Sequence, residues 1–264
     1  MSPTGDCHPP SRSTGFSPRS GGDWRVVPRE QRRRMTATIL VTGFGRFPGA
    51  PLNPAADLAT ALVRRRRPAL AGVRLVSHVF ATRWDAVDGT LPRLVAQEKP
   101  DAVLLLGVAG RADRVRIEQV ARNRASVLFP DAGGARRAHL GIAAGAPFFR
   151  RGRFPAAALR AALRTHGIDA ASSRNAGTYL CNFAYWRALE AADRDGGPRL
   201  VVFVHVPPLH RLGLHRLGLH RLGLHRLGRA SPRRLSRRCH VAVERARLLA
   251  ALEALLVSIA AALR

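Results

Sequence analysis

A chain of 264 residues with 46% hydrophobic content can bury one large core, and a single folded domain is expected. The formal charge of +27 suggests a nucleic-acid partner at first sight, but Lys99 is the only lysine, so 43 of the 44 basic residues are arginine. GC-rich codon usage produces that bias without selection for phosphate contacts; specific nucleic-acid binding is not expected, and non-specific retention of anions is. No apolar run approaches the roughly 18 residues that cross a bilayer, and the N-terminus has charges and prolines where a secretory signal needs an apolar stretch, so a cytoplasmic protein with no membrane contact is expected.

Residues 1–35 are rich in Ser, Pro, Gly and Arg without apolar period and read as a disordered extension, with the folded domain over 36–264. Met35 directly precedes the first strand-like segment, so a start assigned upstream of the true one is one explanation of the extension; an Arg-rich targeting segment, which Asp6, Asp23 and Glu30 argue against, is the other. From there short β-rich runs alternate with longer helical ones, which implies βα units and an α/β fold: a largely parallel, mixed central sheet between two helical layers. Five strands are expected, at Ala37–Thr42, Val73–Phe80, Ala102–Gly107, Asp169–Ser172 and Leu200–Val206. Helices are expected at Ala55–Arg65, Arg83–Gln97, Pro155–Thr165, Tyr179–Ala192 and from about Val241 to Leu263. In the last, Val243, Ala246, Leu249, Ala250 and Leu256 recur near the helical period and should face the sheet. Between Leu209 and Gly228 the pentapeptide Leu-His-Arg-Leu-Gly occurs four times without change. Its period scatters His210, His215, His220 and His225 around a helix, and its glycines disfavour one, so the tract reads as an expanded repeat in a tolerant loop rather than a metal site.

Three cysteines, Cys7, Cys181 and Cys239, form neither a disulfide framework nor a zinc knuckle. Cys181 follows an Asn-Ala-Gly turn and opens a helical pattern, where free N–H groups and the helix dipole favour a thiolate; the alternative is a buried small hydrophobe. His205 ends the run Leu200–Val206, at the carboxyl edge of a strand where α/β sheets gather reactive groups; the alternative is a hydrogen-bonded core histidine. Glu118, between Ile117 and Val120, is an acid that can be partly buried and fix an imidazole tautomer, or one that meets a surface arginine. The glycine-rich turn after the first strand matches no phosphate-binding pattern, and its Phe44 and Phe47 suit a small flat ring better than a phosphate.

Four segments, in order, resemble the type I pyroglutamyl peptidases, or pyrrolidone-carboxylate peptidases. They are Thr42-Gly-Phe-Gly-Arg-Phe47 with Asn53-Pro54; Ile117-Glu-Gln-Val-Ala-Arg-Asn123; Ala176-Gly-Thr-Tyr-Leu-Cys-Asn182; and Phe203-Val-His-Val-Pro207. The resemblance implies a Cys-His-Glu triad at Cys181, His205 and Glu118, and a pocket in which Phe44 and Phe47 pack on the pyrrolidone ring while Asn53 hydrogen-bonds the lactam. It implies no metal or organic cofactor, peptides with N-terminal pyroglutamate as substrates, and a homo-oligomer, dimer or tetramer. The chain departs from the family pattern at Arg46, Val108 and Gln119, and Leu128 stands where the family has an arginine.

Overall fold

The computed structural model describes residues 37–47, 50–154, 156–212 and 237–264, with the backbone alone for 237–239. The expected extension, residues 213–228 of the repeat, Cys7 and the side chain of Cys239 lie outside the described residues. Six strands form the main sheet: β1 (Ala37–Phe44), β2 (Val73–Phe80), β3 (Ala102–Val108), β4 (Val115–Glu118), β7 (Ala170–Ser173) and β8 (Leu200–Val206). Their order across the sheet is β2-β1-β3-β8-β4-β7. All neighbours are parallel except β4 and β8. The central strands β1, β3 and β8 are covered on both faces, which is why they read as continuous apolar runs. A separate antiparallel pair joins β5 (Val120–Arg122) to β6 (Phe149–Arg151).

Strands β4, β5 and β6 are absent from the sequence expectation. With four, three and three residues they are too short to show a period of their own; pairing to β8, β7 and each other makes them strands.

Helices α1 (Pro54–Arg64), α2 (Trp84–Glu98), α3 (Ala156–Arg164), α4 (Leu180–Ala192) and α5 (Arg237–Leu263) fall within a few residues of the expected ones. They make two layers. Leu58 and Leu62 of α1, Leu159 and Leu163 of α3, and Leu252, Leu255 and Ile259 of α5 share one core with Ile39, Val41, Leu104, Val202 and Val204. On the other face Trp84, Val87 and Leu91 of α2 and Phe183 and Trp186 of α4 meet Leu40, Val103, Leu105, Val201 and Phe203. The period of two along each strand then fixes what else points where. Because Val201 and Phe203 face α4, His205 does too. Because Val115 and Ile117 face the opposite core, Glu118 is turned toward the α4 side.

One expectation about α5, the position of its buried stripe, is corrected. Residues His240–Leu263 form a helix long and apolar enough to cross a membrane by length and composition, with a mean hydropathy of 2.0. Its apolar residues, however, belong to the core: Leu248, Leu252, Leu255, Leu256 and Ile259 are fully buried. The buried stripe is also displaced from the expected one, since Val243 is 49% exposed and Ala246 is exposed, so the stripe begins a turn later. Glu253 sits within it, paired with Arg65 at 2.9 Å and with Arg67. Each leucine buried this way is worth about 1.5–3 kcal/mol relative to exposure.

Candidate active site

The turn before α4 is built from Asn175, whose Oδ1 accepts the Gly177 N–H at 3.1 Å, and from Gly177 itself at φ +84°, a region that favours glycine. The chain then enters α4 through an extended Tyr179, and the first helical bond runs from Phe183 N–H to Tyr179 C=O at 3.0 Å. Cys181 is therefore in the first turn, where the amides have no helical acceptor and no side chain caps them. Its sulfur lies over Gly107 of β3: a Cβ at that position would stand 2.9 Å from Sγ and 2.8 Å from Phe203 Cζ. Glycine there lets the thiol settle onto the sheet beside His205, whose Cα is paired in register with Gly107.

Asn182, fully buried, fixes this helix start sideways. Its Oδ1 accepts the Arg122 N–H at 2.9 Å, and its Nδ2 donates to the carbonyls of Arg122 and Arg124, each at 2.8 Å. Tyr185, one turn further, donates its hydroxyl to the Glu118 carbonyl at 2.8 Å, and a Cβ at Gly152 would fall 2.3 Å from that hydroxyl. Helix α4 thus holds both the nucleophile candidate and the backbone of the acid.

Glu118 is buried, and its Oε1 lies 2.8 Å from His205 Nδ1. The sequence alternative of a surface salt bridge is excluded by that burial. Burial alone would raise the Glu118 carboxyl; the hydrogen bond and charge of His205 outweigh it and hold it below the usual carboxylate range, with Ser173 and the Asn175 backbone adding to the effect. For His205 burial works downward, but the charge and hydrogen bond of Cys181, then those of Glu118, push the imidazole up to about 9. The arrangement favours a protonated imidazole held by the Glu118 carboxylate through Nδ1, with Cys181 as the larger influence on its charge. Tyr185, buried beside Glu118, is pushed above its ordinary value by desolvation and stays a neutral donor.

The residues expected to hold a ring are placed less uniformly. Phe47 is half-buried and its ring lies 5.9 Å from that of Tyr179, two residues before Cys181. Tyr179 is braced by Trp84 at 5.3 Å and by its hydroxyl donating to Pro130 C=O at 2.8 Å. Phe44 is 2% exposed and packs against Phe80 at 5.8 Å, inside the core rather than on an open wall. Asn53 is the N-cap of α1: Oδ1 accepts the Ala55 N–H and Nδ2 donates to Gly45 C=O, both at 3.0 Å. One amide N–H remains for a ligand. Leu128 is 69% exposed. Sequence reasoning missed Tyr179, whose signal was its place beside Cys181, and it missed Gly107, Asn182 and Tyr185, which act only through contacts across the fold. Among the described residues no cluster of three or more His, Cys, Asp or Glu could hold a metal ion.

A profile of the pyroglutamyl peptidase family matches residues 37–219. The chain belongs to the pyroglutamyl peptidase family. It is accordingly a peptidase, of the hydrolase class. The pyrrolidone-carboxylate peptidase of Thermococcus onnurineus is 36% identical over 172 residues, which cover 65% of this chain and 84% of that protein. The one from Thermococcus kodakarensis is 34% identical over 172 residues, covering 65% and 82%. Among solved structures, pyrrolidone carboxyl peptidase from Thermococcus litoralis aligns with a TM-score of 0.60 at 29% identity, over 65% of this chain and 76% of that one. A mutant enzyme from Pyrococcus furiosus aligns at 0.65 and 24% identity over 85% and 99%, which speaks for the fold alone.

Proposed function

We propose that this pyroglutamyl peptidase removes an N-terminal pyroglutamyl residue from peptides, with Cys181 as nucleophile, His205 as acid and base, and Glu118 as the group that orients the imidazole. The observation that carries this reading is the buried contact of His205 with Glu118 at 2.8 Å, on the face where Cys181 opens α4. Glu118 keeps the Nδ1 proton in place, so Nε2 is directed at the thiol. The Cys181 thiolate attacks the carbonyl that joins pyroglutamate to the next residue. The tetrahedral oxyanion is met by first-turn amides of α4, and its collapse expels the amine, which takes the proton of the imidazolium. His205, now neutral, accepts a proton from water as the water attacks the acyl-enzyme; Cys181 leaves as thiolate and free pyroglutamate departs.

The pyrrolidone ring is read by Phe47 with Phe44 beneath it, and the lactam by the remaining N–H of Asn53. A site that hydrogen-bonds a lactam rejects proline, which lacks the carbonyl. The family resemblance adds a dimer or tetramer to this reading.

The test is hydrolysis of a pyroglutamyl amide with a chromogenic leaving group beside its prolyl analogue. Cleavage of the first only, abolished in Cys181→Ala and blocked by iodoacetamide mapped to Cys181, is expected. Full activity in Cys181→Ala, or inactivation through Cys239 with Cys181 unlabelled, would overturn the assignment.

A further inference from the structure

We propose that a cavity beside the start of α4 receives the leaving part of the substrate and selects for a carboxylate on it, an inference that rests on the peptidase reading above. The order of strands gives the direction. The ring-binding residues lie at the end of β1 and in the loop after it, the sulfur lies over β3, the proton donor for the leaving amine is on β8, and Glu118 follows on β4. If the acyl half is held on the β1 side, the peptide that leaves with the proton of His205 extends the other way, toward β4 and β7.

On that side lies a cavity of about 560 Å³, within the roughly 300–1,000 Å³ usual for ligand sites. Arg122, Arg124, Arg174, Leu140, Phe148 and Phe149 line it, and no carboxylate does. It is tied to the nucleophile's helix, because the Asn182 side chain binds the backbone of Arg122 and Arg124. Its far wall is held by Asn123, whose Oδ1 accepts the N–H groups of Ile142 and Ala143 and whose Nδ2 donates to Ala143 and Ala146 carbonyls.

None of the three arginines is ion-paired among the described residues; Arg122 Nη2 donates only to Arg174 C=O, at 3.3 Å. Of the three other cavities with arginine in their lining, the one with Arg46 and Arg211 beside Asn53 also lacks a carboxylate, whereas the other two hold Asp57 and Glu253, each already paired; the cavity by α4 differs from all of them in gathering three arginines with no acid. Here the positive charge is uncompensated, and Phe148 at 92% exposure and Phe149 and Leu140 at 49% offer apolar contact next to it. Unpaired guanidinium groups around apolar side chains fit a peptide that carries both an acidic and an apolar residue.

The experiment measures kcat/KM for pyroglutamyl tripeptide amides with glutamate, glutamine or lysine at the second or third position, alongside the chromogenic amide. Glutamate should be favoured over lysine by about tenfold, and the ratio should collapse in Arg122→Gln/Arg174→Gln. Arg164→Gln, an exposed arginine at the end of α3, should leave the ratio as it is. Equal rates for all three peptides, or an Arg164→Gln effect as large as that of the double variant, overturns the proposal while the chromogenic amide is still cleaved. Loss of an oligomer in Phe148→Ser, seen by sedimentation, would make the cavity an interface between copies and overturn it too. No hydrolysis of any substrate removes the peptidase reading with it.

Discussion

His205 is held by partners that act in the same direction, and its titration should be readable in the enzyme's pH profile. Its folded-state value, about 9, lies above the ordinary 6.5, so the imidazolium persists through neutral pH. If His205 protonates the leaving amine as proposed, the basic limb of kcat/KM should fall near pH 9, where that proton is lost. Glu118→Gln removes the charge that supports the imidazolium; the limb should move to lower pH, and kcat should drop by at least about tenfold as the tautomer is no longer fixed. An unchanged limb in the variant would show that Glu118 does not act on His205. Stability follows the same linkage: the His205 contribution is complete below about 6.5 and is lost as pH rises through about 9, and that of Glu118, whose carboxyl is lowered from 4.5, is present above 4.5 and is lost as pH falls. The segments that carry Cys181, His205 and Glu118 were legible in the sequence as local motifs of the family. That Glu118 is fully buried was not, since Arg116, Gln119 and Arg122 beside it read as surface.

At the scale of elements, Asn53 has a structural duty in α1 and, in the proposed function, a second one toward the substrate. Asn53 precedes Pro54 as an N-cap and was read from the sequence only as a lactam ligand; the structure adds the cap and the bond to Gly45. The two duties separate by substitution. Asn53→Ala should cost about 1 kcal/mol by loss of the cap, whereas Asn53→Asp keeps the accepting oxygen and should stay near the parent in denaturant midpoint. Both remove the amide N–H, so both should lower the pyroglutamyl-to-prolyl ratio in kcat/KM. If the ratio survives in both, the lactam is read elsewhere. Helix α4 is legible as an amphipathic pattern, but its clamp through Asn182 and Tyr185 joins residues about 60 positions apart in the chain and has no sequence period.

For the whole molecule, net charge is an influence on stability that acts outside the core. A net +27 on a chain of 264 residues repels itself in the compact state, and screening should relieve it. Raising sodium chloride from about 20 to about 300 mM, where the Debye length shrinks from roughly 20 Å to below 10 Å, is expected to raise the thermal midpoint by several degrees. A midpoint that falls with salt would show that paired surface charges, such as Arg245 with Asp57, outweigh the repulsion. The same charge sets the background against which any preference for acidic peptides must be judged, which is why a distant arginine serves as the control.

The sequence by itself determined the α/β class, the order of the long strands and helices, and the segments that bring Cys181, Glu118 and His205 into play, because period and motif are local properties. Tertiary structure alone decided the rest. A stretch of four residues becomes strand β4 only by pairing with β8 and β7, and only that pairing turns Glu118 to the face that His205 and α4 occupy. The C-terminal helix is apolar enough for a membrane, and what makes it a core element is the sheet it covers and the burial of Glu253 against Arg65 and Arg67. Phe44 and Phe47 look equivalent in sequence, yet one is buried in the core and the other stands beside Tyr179. Which side chain faces a cleft depends on neighbours supplied by distant segments, and no window of sequence contains them.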